Sequence, residues 1–493
     1  MSKALNIVMI ASECVPYVKT GGLADVVGAL PKALKALGHD VKVILPKYSE
    51  IDTEKHKLER FWPAMQVWMG AGHKEGCAVD VAFLEEGIPV YFIENWSFFG
   101  RNGIYNDTYS DYGDNPERFA FFTRAALQLC VDAGFETDII HAHDWHTALA
   151  PAYLKTWRWK GTCLENAASV FTIHNIQYQG SFSKECWPYT GISWQHFTSE
   201  KFEHHGGVNY LKGGIAFADR VTTVSPTYAS ETKNTPLGAG LSTILKHKTQ
   251  HYIGILNGVD YEEWNPETDT LIPANFTIND LEGKKECKKN LQEKFELEIN
   301  PAIPLIGVVS RLANQKGLDV LFTALQILLQ QVDFQFVLLG SGDNTLEANY
   351  ANLSYQYPGK AGAYIGYNNT IAHEIEAGAD FFAMPSRFEP CGLNQMYSLK
   401  YGTLPIVRNT GGLADTIEQY DQNTGNGTGF KFDELTPQAI IDTIKWVLDT
   451  WYNRRSHIDS MIQEAMDKDY SWKQSAERYV ELYLEVGQKR NSS

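Results

Sequence analysis

The hexapeptide Thr20-Gly21-Gly22-Leu23-Ala24-Asp25 recurs letter for letter as Thr410-Gly411-Gly412-Leu413-Ala414-Asp415. Each copy follows a strand pattern and opens a helix pattern, so the echo ties both ends of the chain to one kind of supersecondary unit. Around the first copy, Asn6–Ala11 reads as a strand. Leu23, Val26, Val27, Leu30, Ala33, Leu34 and Leu37 then keep a helical period until Gly38. Val41–Leu45 is a second strand, and strand–helix–strand is the seed of a doubly wound parallel sheet. Further strands are predicted at Val79–Phe83, Val90–Ile93, Ile139–His143, Val170–His174 and Arg220–Val224. The second half repeats the rhythm, with strands at Leu305–Ser310, Phe334–Gly340, Ala363–Gly366, Phe381–Met384 and Leu404–Arg408. Helical patterns at Gly317–Gln331, Leu346–Tyr357, Ile371–Ala377 and Leu393–Tyr401 separate them. The hexapeptide has a local explanation in Thr as a helix N-cap and Gly as a turn residue. Its functional explanation, favoured by the strand–turn–helix context, is that both Gly-Gly turns let backbone N–H groups approach a ligand at a helix N-terminus.

A chain of 493 residues is natural for two domains of roughly 150–250 residues each. The pattern divides it into an N-terminal Rossmann-like domain over 1–260, a C-terminal one over 261–471, and a helical segment over 472–493 that packs back on the first. Asp260–Lys289, rich in Pro, Asn, Asp, Glu and Lys, reads as the connection plus an excursion. Hydrophobic residues make up 44% and charged residues 21%, which excludes disorder as the main state. The net charge of -16 repels phosphate backbones and anionic bilayers, so neither nucleic acid nor membrane is an expected partner. Seven scattered cysteines without a C-x-x-C pair argue against a disulfide framework and for a reducing compartment. No leader-like segment precedes the first strand, and no apolar run approaches the roughly 20 residues of a membrane span. The expectation is a bacterial cytoplasmic protein, with a mature plastid protein as the alternative.

Several strand ends carry chemistry-bearing residues: Lys19-Thr-Gly-Gly-Leu23, His141-Ala-His-Asp-Trp-His146, Thr172-Ile-His-Asn175 and Asn257-Gly-Val-Asp260 in the first half. The second half has Ser310-Arg-Leu-Ala-Asn-Gln-Lys-Gly317, Ser386-Arg-Phe-Glu-Pro-Cys-Gly-Leu393 and Thr410-Gly-Gly-Leu-Ala-Asp415. In this order, over almost the whole chain, the set resembles the bacterial glycogen synthases and starch synthases of glycosyltransferase family five. The resemblance implies an α/β chain of the GT-B fold, with two doubly wound Rossmann-like domains facing a central cleft. It also implies transfer of glucose from ADP-glucose to the non-reducing end of an α-1,4-glucan, with retention of configuration and without cofactor or metal. Glycogen, starch or malto-oligosaccharide is the implied acceptor.

Such a reaction builds negative charge on a departing nucleoside diphosphate, which fixed cations and N–H groups stabilise. By resemblance Arg311 and Lys316 supply those cations, Arg as a fork and Lys as a point charge. Glu389 is placed at the transferred glucose, bonding hydroxyls and opposing a cationic sugar. His174 and Asn175 bond sugar hydroxyls, Asp144 bonds the acceptor hydroxyl, and Lys19 meets the phosphates. Gly21 and Gly22 let the chain pass close to the ligand, with Gly411, Gly412 and Thr410 similarly placed. Cys391, Gly392 and Leu393 line the same site, together with Asn257. Tyr367 is expected to stack on adenine, and Tyr105 to form another wall of the nucleotide or acceptor site. Many family members carry Thr after Glu-Pro-Cys-Gly-Leu; the chain has Asn394, which keeps hydrogen-bonding capacity and is expected to tune nucleotide contacts. Tyr397 stands where the wider superfamily often has a second Glu, which favours front-face substitution over a double displacement.

Other readings of single motifs are weaker. His141, His143 and His146 have ligand chemistry for zinc but no fourth ligand at a recognisable spacing. Asp467-Lys-Asp469 is a D-x-D inside a charged helical pattern, so it reads as a solvated face. Cys391 near a helix start has no evident base beside it and reads as packing next to the site. Competing functions are the same transfer from UDP-glucose, a non-catalytic glucan-binding relative, and a phosphorylase using pyridoxal phosphate. The presence of Lys19, Arg311, Lys316 and Glu389 argues against a non-catalytic relative.

Overall fold

The computed structural model describes residues 4–107 and 110–490, so the last three residues of the expected C-terminal segment lie outside it. The chain separates into two compact units, one of residues 1–258 with 472–493 and one of residues 259–471.

The first unit is built on β1 (Asn6–Ile10), β2 (Asp40–Pro46), β3 (Glu59–Trp68), β4 (Lys74–Leu84), β5 (Ile88–Glu94), β6 (Ile139–His143) and β7 (Ala168–Ile173). Three short strands, β8 (Ser181–Phe182), β9 (Glu203–His204) and β10 (Gly207–Asn209), form a separate small sheet, and β11 (Arg220–Thr223) and β12 (Tyr252–Gly254) complete the main one. The main order is β12-β11-β7-β6-β1-β2-β5-β4-β3. From β12 to β5 the pairing is parallel, and β4 and β3 add an antiparallel edge. Every residue of β6 and β7 is buried, as a parallel strand covered on both faces requires. The order reverses beside β1, with Ile7 opposite Ile139 and Val41 on its two flanks. In open α/β sheets ligands bind at the carboxyl ends of strands around such a reversal. Those ends are Ala11–Gly22 after β1, Asp144 after β6 and His174 after β7.

β3 was not foreseen from periodicity. It is an edge strand whose ladder shifts register between Arg60 and Met65, so its alternation is broken, and mainly Met65 and Val67 turn inward. The helix Trp472–Arg490 belongs to this unit: it packs on the helix Gly22–Ala36 and on β7, burying Tyr479, Leu482, Tyr483 and Val486.

The second unit holds β13 (Leu305–Val309), β14 (Gln335–Gly340), β15 (Ala361–Ile365), β16 (Phe381–Met384), β17 (Leu404–Arg408) and β18 (Phe430–Phe432). They form one all-parallel sheet in the order β15-β14-β13-β16-β17-β18, reversing between β13 and β16. The segment expected to be irregular to Lys289 instead enters a helix, Glu282–Lys294. Its buried stripe runs Lys284, Cys287, Lys288, Leu291 and Gln292, so three of five core positions are polar, two of them lysines, and a hydrophobic pattern does not register. Their stems lie inside while Lys284 Nζ donates to Ala377 O and Thr403 Oγ1, and Lys288 Nζ to Ile303 O and Asp380. The D-x-D also differs from expectation: the helix ends at Asp467, and Lys468 is extended and paired with Glu418.

Candidate functional site

After β1 the chain crosses to the helix Gly22–Ala36 through a loop tied to one carboxylate. Glu13 Oε2 accepts the backbone N–H of Thr20 and, at 3.2 Å, that of Gly21. Glu13 Oε1 accepts the Thr20 hydroxyl at 2.6 Å and the Tyr105 hydroxyl. The Thr20 and Gly21 amides are therefore bonded to the protein's own carboxylate. Gly21 is extended (φ −155°), a conformation open to any residue. A Cβ added at Gly21 or Gly22 would meet nothing within 4 Å. Neither backbone nor packing within the unit demands glycine here, so the space over both residues is open. Lys19 is half exposed beside it and paired with Asp25 at 2.7 Å.

The ends of β6 and β7 meet beside this loop's unit core. Asp144 sits at φ 55°, ψ −178°, a region other than glycine enters only under constraint. The constraint is visible: its N–H donates to Thr172 O at 2.9 Å and its carboxylate accepts the His174 N–H at 2.7 Å. Burial pushes the Asp144 carboxyl up to about 7, opposed by the N–H groups of His174 and Asn175. Asp144 thus positions His174 and Asn175. His174 is buried, and burial drives it down to about 3, so it is a neutral imidazole. Its Nε2 lies 3.0 Å from His143 Nδ1, and His143 Nε2 is buried without a partner. The arrangement that leaves a lone pair rather than an N–H unmatched has His143 donating, which leaves His174 carrying its proton on Nδ1. His141 is bonded to Tyr483 at 2.7 Å and to Thr172 at 2.6 Å, so these imidazoles hold one another and the C-terminal helix. Tyr105 stacks on His146 with ring centroids 4.5 Å apart while its hydroxyl turns in to Glu13 and Ser12. Asn257, after β12, is buried with Oδ1 unpartnered.

In the second unit, Glu389 follows β16 and is 5% exposed. Lys316 Nζ donates to its Oε2 at 2.6 Å, and the Ser386 hydroxyl donates to the same oxygen at 2.9 Å. Oε1 receives none of the described hydrogen bonds. Arg311, after β13, is exposed and forms no ion pair among the described residues. Gly411 is left-handed (φ 45°), and a Cβ there would lie 1.9 Å from Glu389 O; at Gly412 it would lie 2.0 Å from Cys391 O. The Gly412 N–H donates to Glu389 O at 3.0 Å. The second Gly-Gly pair is thus explained by close packing that seats the Glu389–Cys391 turn, whereas the first faces open space. One hexapeptide does two jobs. Thr410 and Cys391 are buried, and Gly392 is left-handed (φ 72°) just before Leu393 caps the helix Asn394–Lys400. Asn394 Nδ2 donates to Val309 O at 3.3 Å, tying that helix to β13. Tyr367, after β15, is 84% exposed. Tyr397 lies flat on Trp264, 4.0 Å and 2° between rings.

Sequence reasoning passed over Glu13 and Ser386. Glu13 had a signal: it is the only acidic residue from Leu5 to Ala24, in an otherwise apolar stretch ahead of a helix start. Ser386 precedes Glu389 by three residues, but nothing in the spacing says that its hydroxyl turns to the carboxylate.

Comparison with known proteins supplies the context. Residues 6–247 match the family described as starch synthase catalytic domain, and residues 289–465 match glycosyl transferases group 1. The chain is 48% identical over 487 residues to glycogen synthase 1 of Geobacter sulfurreducens, covering 99% of this chain and 97% of that one. It is 44% identical over 494 residues to the glycogen synthase of Treponema denticola, covering 99% and 100%. Among solved structures, the catalytic domain of starch synthase IV from Arabidopsis thaliana bound to ADP and acarbose matches with a TM-score of 0.90 at 35% identity, over 99% of this chain and 100% of that one. A sucrose-phosphate synthase from Thermosynechococcus elongatus matches at a TM-score of 0.60 and 17% identity, over 98% and 99%, a likeness of GT-B fold alone.

Proposed function

Because the chain belongs to the family of glycogen and starch synthases, we propose that it transfers glucose from ADP-glucose to the non-reducing end of an α-1,4-glucan with retention of configuration. The observation that carries this reading is the Lys316–Glu389 pair at the carboxyl edge of the second sheet, with Arg311 beside it in sequence and Oε1 of Glu389 outside the described hydrogen bonds. A diphosphate needs cations where its charge grows. Arg311 offers a bidentate fork, and Lys316 has protons to share beyond the one given to Glu389. Glu389 then keeps Oε2 on Lys316 and Ser386 and turns Oε1 to the glucosyl hydroxyls. As the bond to the diphosphate breaks, positive charge develops at the sugar and the carboxylate opposes it.

Lys19 and the open face of Gly21–Gly22 meet the nucleotide sugar. His174 donates from Nδ1 to a sugar hydroxyl, held by His143 and Asp144. Tyr397 is an aromatic packed on Trp264, which supports front-face displacement in which the acceptor hydroxyl gives its proton to the departing phosphate oxygen. The relative crystallised with ADP and acarbose supports a nucleotide and an oligosaccharide as ligands. None of the seven cysteines forms a disulfide, which suits a reducing cytoplasm, and no described helix is long and apolar enough to cross a membrane.

The test is incorporation of labelled glucose into glycogen, with ADP-glucose and UDP-glucose offered side by side. Strong transfer from ADP-glucose is expected. Transfer from UDP-glucose alone overturns the donor, and glucan binding without transfer from either overturns the enzymatic reading.

A further inference from the structure

Glu13 lies outside the segments quoted above for the family likeness, is 3% exposed, and its two oxygens receive four hydrogen bonds. Two come from backbone amides that lead into the helix Gly22–Ala36, one from the Thr20 hydroxyl, and one from the Tyr105 hydroxyl. The Tyr105 oxygen in turn lies 2.8 Å from the Ser12 hydroxyl. One carboxylate therefore joins the Lys19–Gly22 loop to the loop that carries Tyr105. We propose that Glu13 is a positioning residue for glucosyl transfer, holding the Lys19–Gly22 loop in its ligand-ready shape before any substrate arrives.

The physical case has two parts. Amides that precede a helix are natural partners for an anion, and hydrogen bonds to an ionised acceptor are about twice as strong as neutral ones. Glu13 places the protein's own anion there, so this loop contributes to a donor through Lys19 and the open glycine face. A short loop with two glycines loses much conformational entropy when ordered, and settling that cost during folding spares substrate binding from it. Glutamine is a discriminating substitute. The two hydroxyls that face Oε1 can reverse and accept from an amide NH2, while the remaining oxygen still accepts both backbone N–H groups. Alanine satisfies none of the four.

The proposal rests on the reading that the Lys19–Gly22 loop meets the nucleotide sugar, and its test separates the two. Hydrogen exchange at Thr20 and Gly21 is measured in substrate-free protein, and donor KM and kcat are measured alongside. Glu13→Ala is expected to speed exchange at both amides and to raise donor KM more than tenfold, with a smaller fall in kcat. Glu13→Gln is expected to recover both readouts to within about threefold of the parent. Unchanged exchange in Glu13→Ala overturns the proposal, as does a normal donor KM in Glu13→Ala when Lys19→Ala raises it. If Lys19→Ala also leaves transfer untouched, the donor role of the loop fails and the proposal falls with it. Should Glu13→Ala fail to fold, Thr20→Val on an exposed residue removes only one of the two bonds to Oε1. A several-fold rise in donor KM then supports the proposal, and no rise overturns it.

Discussion

Lys316 spends one of its protons on Glu389, and that single pairing shapes what substitutions at either residue do. Glu389→Ala leaves the buried Ser386 hydroxyl and the largely buried Lys316 ammonium without their shared partner, so the fold is expected to survive with a lowered melting temperature. Turnover is expected to fall on the order of 100-fold or more, the scale seen when one electrostatic stabiliser is removed, while ADP affinity changes only a few-fold. An unaltered rate removes Glu389 from the chemistry. Buried imidazoles set the acid response. His141 and His174 are driven down to about 3 by burial, and His143 and His146 are lowered by the same cause. Groups with depressed values confer their stability above the ordinary histidine range and lose it as pH falls below about 6.5, at about 1.4 kcal/mol per pH unit each. Asp144 and Glu376, raised to about 7 and about 8 by burial, act in the opposite sense over the same window, as do Asp25 and Glu117, which burial also raises. Burial lowers His39, His56, His196 and His204 too, so eight imidazoles stand against four carboxyls and urea midpoints are expected to drop between pH 6 and pH 4. A flat profile there contradicts neutral burial of the cluster.

The two glycine turns are elements of identical sequence with opposite surroundings, and alanine scanning distinguishes them. Gly22→Ala enters open space at the first position of a helix, so its melting temperature is expected to hold or rise slightly, while donor KM rises. Gly412→Ala drives a methyl into Cys391 O, and overpacking of this kind costs about 1–3 kcal/mol. Its melting temperature and kcat are expected to fall together, because the displaced turn carries Glu389. Equal effects at both sites, read by calorimetry and initial rates, contradict the asymmetry. The strand–turn–helix units themselves were legible, since periodicity and glycine turns are local properties. β3 and the helix Glu282–Lys294 were not, because a broken ladder and buried lysine stems both erase the hydrophobic period that marks an element.

At the scale of the molecule, the chain leaves the first unit at Gly258 and returns to it at Trp472. The returning helix buries Tyr479, Leu482, Tyr483 and Val486, adds an Arg220–Glu485 ion pair, and bonds His141 through Tyr483. Burying each such large apolar side chain contributes about 1.5–3 kcal/mol, so truncation after Ser471 is expected to yield insoluble or strongly destabilised protein. Tyr483→Phe, which removes only the hydroxyl, is expected to lower stability by about 1–3 kcal/mol through the orphaned His141 nitrogen. A truncated chain that melts with the full-length protein contradicts the helix's part in the first unit. The sequence by itself determined two α/β halves, the strand ends that carry charge and the family they resemble, because alternation, turn residues and motif order are written in neighbouring positions. Only the tertiary structure decided that Asp144 and Glu13 bind backbone, that Lys316 is paired with Glu389, and which Gly-Gly turn stands open. Each of these depends on hydrogen bonds or contacts between strand ends that the sheet order, not adjacency in the chain, brings together.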